Sequence, residues 1–424
     1  MTRRTRWLVV GAGTAGVVAA SRLAEHPDHE VVLLEAGPPT TATELGDSFF
    51  DALAAPGRTI DDLVATRVEG GPAIPYRRGR GLGGSGVLNA MVALAGGPFI
   101  AQHRLHAELP SPAELGSVDR ALITASADAD RVPLTRRDGR RLTVVDHYPL
   151  DAVEVRGDAP VDRVLLEGRR AVGVRLVDGM EVLADRVVLS AGAIASPTVL
   201  LRSGVDVPGV GEGLKDHPAA PITLALRADS TADPSSLAVG SVLRRGPIQV
   251  LPLNHLGRTA SGYGVLMPAL MRVRSEGFVR LHPDRPDDPT APPRVDLRML
   301  SDSDDVAGLV DAVGLALELL EHPAFGRIVD ATYVDDVGTG AETLNSSDAI
   351  AAWLPEHVGD YVHASCTCRM GVVVDELGAV RDHLSLYVCD ASVFPDIPEV
   401  NTNVPTAMLA ETLVGRWLAA VDDG

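Results

Sequence analysis

Three glycines and one acid near the N-terminus are the residues whose types and spacing suggest a definite chemistry. The stretch Gly11-Ala12-Gly13-Thr14-Ala15-Gly16 is followed downstream by Glu35. Gly11 suits a tight turn, Gly13 leaves the backbone bare for a pyrophosphate, and Gly16 lets a helix pack closely on a strand. A carboxylate at Glu35 suits ribose hydroxyls. No Arg replaces it, which argues against a 2′-phosphate and hence against NADP. The motif does not by itself separate FAD from NAD. Proton-transfer groups must be sought elsewhere, among 12 histidines that individually read as structural. The three cysteines, Cys366, Cys368 and Cys389, are too sparse for a disulfide framework, and a reducing cytoplasm fits them. No Cys or His spacing suggests a metal site.

The elements around the glycines are legible. Trp7-Leu8-Val9-Val10 is a short apolar run, as in a buried parallel strand. Val17 to Ala24 follows as a helix, and Glu30 to Leu34 reads as a second buried strand ending at Glu35. The helix N-terminus then offers unpaired N–H groups and a positive dipole end to phosphates. The 424 residues exceed one ordinary core, so two domains are expected. The net charge of −19 argues against nucleic-acid binding and reads as a solvated acidic surface. No apolar stretch is long enough to span a bilayer and no signal peptide is visible, so a cytoplasmic location is expected.

A second glycine cluster runs Arg77-Arg78-Gly79-Arg80-Gly81-Leu82-Gly83-Gly84-Ser85-Gly86, then Val87-Leu88-Asn89. Such glycines let backbone lie against a flat or anionic ligand. Three further stretches stand out. Ala184 to Gly204 carries Gly192-Ala193 and Ser196-Pro197; Gly209 to Pro218 ends in Lys215-Asp216-His217-Pro218. The C-terminal region has His363 to Gly371, then Val388-Cys389-Asp390-Ala391-Ser392-Val393-Phe394-Pro395, then Asn401-Thr402-Asn403-Val404-Pro405-Thr406. In content and order these motifs resemble those of the glucose–methanol–choline (GMC) oxidoreductases, over nearly the whole chain.

The resemblance implies an α/β fold with a Rossmann-type, discontinuous FAD-binding domain and a smaller α+β substrate domain on an antiparallel sheet. It implies FAD rather than NAD. The residues it would place along the cofactor are Gly11, Gly13, Thr14, Ala15, Gly16, Glu35 and Ala36 in the first unit, then Arg80, Gly83, Gly84, Ser85 and Asn89 in the second. Val161 would contact adenine through its backbone, with Ala191, Gly192, Asp390, Ala391, Asn401 and Val404 completing the cradle. The helix from Ala407 to Ala420 would point its N-terminus at the cofactor; Pro405 and the spacing of Met408, Leu409, Leu413 and Trp417 independently suit a helix. Oxidising an alcohol needs a base for the hydroxyl proton, a hydride acceptor and donors to the developing alkoxide. By resemblance His363 is the base, Asn403 donates to the substrate oxygen, and hydride passes to flavin N5. His217 reads as structural at the domain junction, while His357 and Tyr361 are candidates to line the pocket.

Departures from the family matter too. Typical members are longer; this chain is trimmed between Gly97 and Arg137 and again after His217. A shorter cap implies a more open pocket. Leu88 stands where some members carry a histidine bonded covalently to flavin, so non-covalent FAD is expected. Cys366 replaces a glycine of the motif, which leaves the local backbone and the placement of His363 open; the Cys366/Cys368 pair reads as packed thiols.

The expected FAD domain comprises 1–96, 140–215 and 370–424, the substrate domain 216–369, and 97–139 is a connecting segment. Strands are expected at 153–155, 163–166, 171–176 and 186–189, completing the dinucleotide-binding half, and at 221–228, 249–253, 264–271 and 277–281 in the antiparallel sheet. Residues 304–320 have helical spacing and 282–293 read as loop. The leading function is FAD-dependent oxidation of a small-molecule alcohol, with a redox acceptor to reoxidise the flavin. Two alternatives stand beside it: a non-redox lyase on the same fold, and a dehydrogenase of a specialised donor, either a mycofactocinol-type cofactor or a natural-product alcohol, feeding an acceptor other than oxygen.

Overall fold

The computed structural model describes residues 4–40, 49–97, 99 and 102–422. Strand β1 (Thr5–Val10), helix α1 (Thr14–Ala24) and strand β2 (His29–Leu34) form the opening unit as expected. β1 pairs in parallel with β2 and with Arg186–Leu189; Leu386–Val388 and Glu154–Arg156 extend the parallel sheet at its two ends. Trp7 to Val10 and Val31 to Leu34 are buried on alternate sides alike. Both faces of the sheet are covered, so these strands read as continuous apolar runs. The C-terminal helix, Asn403–Asp422, packs on this core. There Trp417 stacks on Trp7 at 5.6 Å and donates its indole N–H to Leu377 O at 2.7 Å. Arg22 of α1 pairs with Glu411 of that helix at 2.9 Å.

Two expected strands do not join the parallel sheet. Val161–Glu167 and Arg170–Leu176 form a separate antiparallel sheet with Glu181–Leu183. The physical reason is the link: only Gly168, at φ +60°, and Arg169 separate the first pair. So short a connection makes a hairpin, whereas parallel neighbours need a crossover.

The second large sheet is antiparallel. Ile222–Leu226, Tyr263–Leu270, Ile248–Leu253 and Ser241–Arg245 are its successive inner strands, with Val329–Tyr333 and Ala129–Arg131 at its ends. Helix Ser303–Leu320 packs on it through Leu309, Val313 and Ala316. Gly277–Arg280, expected in this sheet, lies instead in a mixed sheet with Glu212–Leu214, Arg294–Asp296, Val64–Thr66 and Ala73–Pro75. A Cβ at Gly277 would overlap the carbonyl of Asp296, so glycine permits that close pairing. Packing therefore departs from the expected division of the chain. Leu63, Ala65 and Tyr76, and Val118, Leu122 and Ala129 from the connecting segment, share a core with the antiparallel sheet. Among the described residues no helix is long and apolar enough to cross a membrane.

Candidate active site

The two glycine motifs meet. Gly83 donates its N–H to Ala12 O at 2.8 Å, and a Cβ on Gly84 would lie 2.8 Å from Gly13 Cα. Gly11, at φ +97°, passes under the segment after Arg186–Leu189; a Cβ there would sit 2.6 Å from Ser190 O and 2.7 Å from Ala191 Cα. Gly16 is closed in as well, since its Cβ would overlap Gly11 O. Gly13 is the exception: nothing lies within 4 Å of where its Cβ would be. No side chain caps α1, and no acid occupies its first turn. The start of α1 thus borders open space at Gly13, while Thr14 and Ala15 behind it are buried.

Glu35 is buried, and its carboxylate accepts N–H bonds from Ala12 at 2.8 Å, Gly37 at 2.8 Å and Gly81 at 2.9 Å. A carboxylate offers about four lone-pair positions, so one remains for a ligand hydroxyl. The acid expected to hold ribose also ties the glycine turns together. Arg80 donates to Ala36 O at 3.0 Å, Ser85 Oγ accepts from Gly79 N at 2.9 Å, and Asn89 Oδ1 accepts from Met91 N at 2.9 Å. Val161 opens its strand close to this rim, where Ala159 N donates to Glu35 O at 2.8 Å.

On the opposite side, Asp390 gathers three donors. It accepts from Gly192 N at 2.8 Å, Ser196 Oγ at 2.5 Å and Ser392 N at 2.8 Å, and burial raises its pKa. Asp390 thus fixes the start of helix Gly192–Arg202 beside Ala191. Ala391 O accepts from Cys366 N at 3.1 Å, which hangs the His363 segment from the same turn.

His363 is positioned from two sides. Residues 215 and 365 bond each other's main chain at 3.0 and 3.1 Å, and Tyr361 N donates to His217 O at 3.2 Å. Asp216 Oδ1 accepts from both His217 N at 2.7 Å and His363 N at 2.9 Å, while Tyr76 donates its hydroxyl to Oδ2 at 2.7 Å. The result sets His363 Nδ1 2.9 Å from His217 Nδ1, with rings at right angles. Tyr361 lies edge-on to His363 at 5.4 Å. Arg78 holds Val362 O beside them. Burial lowers His363 well below the ordinary histidine value, helped by His217 and Arg78. Burial likewise lowers His217 to about 3 and raises Asp216 to about 7. Both imidazoles are therefore neutral near pH 7, and a neutral imidazole can accept a proton. Asp216, His217 and His363 have the composition of a metal cluster, with ligand atoms within 4.8 Å of one another. These donors are already engaged with one another and with Tyr76.

Asn403 and His363, both expected to act on the substrate, share no hydrogen bond among the described residues. Asn403 opens the C-terminal helix, and its Oδ1 accepts from Thr14 Oγ1 at 2.7 Å, in the cradle. Asn401 Oδ1 lies 3.4 Å from Nε2 of the fully buried Gln249, and Val404 is buried in the core. His217, read as structural, is instead the direct partner of His363. Asp216, Tyr76 and Gln249 were not singled out either; only the Lys215-Asp216-His217-Pro218 motif carried a signal. His357 bonds Trp353 O at 2.9 Å and stacks on the Trp353 ring. Cys366 has φ +72°, the left-handed conformation its glycine predecessor would favour. The three cysteines are buried and free, and burial pushes the Cys366 thiol up to about 12, so it is a packed thiol.

Comparison with known proteins shows what the chain is similar to. The GMC oxidoreductase family matches through its N-terminal part over residues 129–219 and its C-terminal part over 273–410. A NAD(P)-binding Rossmann-like domain matches over 9–42. The chain is 28% identical to 5-(hydroxymethyl)furfural oxidase of Methylovorus sp. (strain MP688), covering 97% of this chain and 98% of that protein. It is also 28% identical to oxygen-dependent choline dehydrogenase of Paraburkholderia xenovorans (strain LB400), over 97% and 93%. The first alignment spans 525 positions against 424 residues here, in keeping with a trimmed chain. In fold it is similar to pyridoxine 4-oxidase from Mesorbium loti, with TM-score 0.86 at 23% identity over 98% and 99% of the two chains. Formate oxidase of Aspergillus oryzae RIB40 gives TM-score 0.85 at 19% identity over the whole of both chains.

Proposed function

This chain belongs to the GMC oxidoreductase family, an FAD-dependent group acting on alcohols, and within that activity we propose that His363 is the base that takes the hydroxyl proton. The observation that carries the reading is a neutral imidazole on the segment bonded to the Asp390–Ala391 turn, which itself borders the glycine cradle.

The cradle suits FAD. Gly13 leaves room for a pyrophosphate, the uncapped N-terminus of α1 complements its charge, and Glu35 keeps acceptor capacity for a ribose hydroxyl. The residues proposed to hold it are Gly11, Gly13, Thr14, Ala15, Gly16, Glu35 and Ala36; Arg80, Gly83, Gly84, Ser85 and Asn89; Val161, Ala191 and Gly192; and Asp390, Ala391, Asn401 and Val404. Leu88 packs with Ala52 and Val87, and its side chain has no group for a covalent link, in keeping with non-covalent binding. The chemistry that FAD supplies when bound is acceptance of a hydride from the carbinol carbon. The protein's own part is proton handling: as the O–H proton reaches His363, the ring becomes imidazolium and negative charge on the substrate oxygen needs a donor. Asn403, committed through Oδ1 to Thr14, has its amide N–H groups left for that oxygen or for the cofactor.

The test is anaerobic mixing of the yellow holoprotein with a panel of alcohols while the flavin absorption band is followed. Bleaching in the wild type, slowed by on the order of 10²- to 10⁴-fold in His363→Gln at unchanged FAD content, is the expected result. Reduction of the variant at the wild-type rate would exclude His363 as the base.

A further inference from the structure

We propose that Arg78 is a positioning residue for His363: with Asp216 it clamps the peptide between Val362 and His363, and so holds Val362 in the left-handed conformation that sets where the base stands. The inference rests on the reading of His363 as the base, but it makes a separate claim about what holds that base in place.

Val362 has φ +59°. A β-branched residue is a genuine outlier there, because its Cβ crowds the following carbonyl oxygen. Such strain persists only where the surroundings over-determine it. Here both polar groups of the next peptide are gripped. Its carbonyl oxygen, on Val362, accepts from the Arg78 guanidinium, and its N–H, on His363, donates to Asp216 Oδ1 at 2.9 Å. Turning φ of Val362 to a negative value swings this whole peptide and breaks both bonds. The half-buried Val362 side chain adds a third hold by packing against the core of the antiparallel sheet. Beyond His363, Cys366 is left-handed as well, at φ +72°, and residue 365 is bonded to residue 215. The base therefore stands on a short bow of chain fixed at both ends.

The two grips are themselves anchored. Asp216 is buried and also accepts from His217 N at 2.7 Å and from the Tyr76 hydroxyl at 2.7 Å. Arg78 belongs to the second glycine cluster. Its own carbonyl accepts from Ile60 N at 3.0 Å, and the next residue, Gly79, donates to Ser85 Oγ at 2.9 Å. A Cβ on Gly79 would overlap Gly84, so this stretch is closely packed. Arg78 thus joins the backbone proposed to lie along FAD to the peptide that carries the base. A guanidinium bond to a carbonyl is charge-assisted, which suits it to holding a strained turn. After burial and His217, the Arg78 charge also lowers the His363 pKa. That effect acts through space, whatever the backbone preference of residue 362. The clamp, in contrast, matters only while residue 362 resists its own φ, and this difference separates the two roles.

A double-mutant cycle tests the clamp with two readouts on the holoprotein. One is the rate of flavin reduction at saturating alcohol. The other, without substrate, is hydrogen exchange of the His363 main-chain amide in ¹⁵N-histidine-labelled protein, its signal assigned by loss in His363→Gln. Arg78→Met should slow reduction and speed that exchange by about 5- to 30-fold each, the population equivalent of the left-handed penalty. Glycine adopts this φ without help, so in a Val362→Gly background the same substitution should change either readout by less than about threefold. Equal losses in the two backgrounds would assign Arg78 a charge role alone and overturn the clamp. Wild-type amide exchange in Arg78→Met would overturn it too. If Arg78→Met does not fold or retain FAD, Val362→Ala and Val362→Gly decide with Arg78 in place. Alanine keeps the strain, so its His363 amide should exchange severalfold faster than in the glycine variant, and exchange no faster refutes the proposal. Failure of the base reading is separate, appearing as unimpaired flavin reduction in His363→Gln while the exchange pattern stands.

Discussion

Replacing Gly13 and Gly16 by alanine separates the residue that serves the cofactor from the one that serves the fold. Gly13 has φ −71° and ψ −174°, an extended conformation open to any residue, and no atom within 4 Å of the added methyl. In the apoprotein, Gly13→Ala restricts the unfolded chain, a gain of about 0.4–1 kcal/mol. It also trades glycine for a poorer N-cap, a loss of comparable size. Stability should then change by less than about 0.5 kcal/mol on balance. In the holoprotein the methyl fills the space read as the pyrophosphate's and displaces it from backbone N–H groups. Losing one or two charged hydrogen bonds, at roughly 1.5–3 kcal/mol each, amounts to about 3 kcal/mol. That corresponds to roughly a hundredfold weaker FAD binding. Gly16→Ala meets the opposite situation, because its Cβ would overlap Gly11 O whether or not FAD is bound. That variant should lose several kcal/mol, on the order of an overpacked core or more, before any cofactor is added. The assays are thermal unfolding of both apoproteins and fluorescence titration of each with FAD. Wild-type FAD affinity in Gly13→Ala would refute the placement of the pyrophosphate. Apoprotein destabilisation equal to that of Gly16→Ala would refute the open space on which the reasoning rests.

Other expectations follow from single sites. Cys366 holds φ +72°, so Cys366→Gly should be more stable than Cys366→Ala by about 1 kcal/mol in urea unfolding, the reverse of the order at ordinary positions. Asp390 accepts three hydrogen bonds and donates none; Asp390→Asn turns an N–H₂ against a donor and should cost about 1–3 kcal/mol in the same assay, with FAD content falling as the start of helix Gly192–Arg202 shifts. Acid sensitivity should reveal the buried cluster. His217 is lowered to about 3, so its contribution is complete above the unfolded value near 6.5 and is lost as pH falls towards 3. Asp216 is raised to about 7, so its contribution is complete below about 4 and is lost as pH rises through 7. Between about pH 4 and 6.5 the two slopes oppose each other. Asp216→Asn should therefore steepen the loss of stability on acidification by up to about 1.4 kcal/mol per pH unit, read from urea midpoints across that range; an unchanged slope would refute the shift at Asp216.

Much of the chemistry was legible because it is local. The run from Trp7 to Glu35 is a complete strand, turn, helix and strand whose residues are close in sequence, and each glycine's job follows from its position in the turn. Cys366 was legible as a problem, a side chain where the motif has glycine, and its left-handed φ confirms the backbone the motif demands. Sheet membership was less legible. The strand at 277–280 shows the same apolar pattern as its neighbours, and only the close approach of Asp296 to Gly277 places it in another sheet.

By itself the sequence determined the dinucleotide-binding unit and the family, and it pointed to the histidine proposed here as the base. Those rest on short motifs whose geometry is carried within a few residues. The partners of that histidine were decided only by tertiary structure. His217 and His363 are 146 positions apart, and Asn403 reaches Thr14 across 389. Pro218–Ala219 pairs with Gly359–Asp360, and that pairing, with Asp216 bonding both main-chain N–H groups, sets one imidazole against the other. A motif fixes which groups are present, but side-chain contacts and burial arise only where distant segments meet and exclude water, and they leave one histidine half-buried and its partner enclosed.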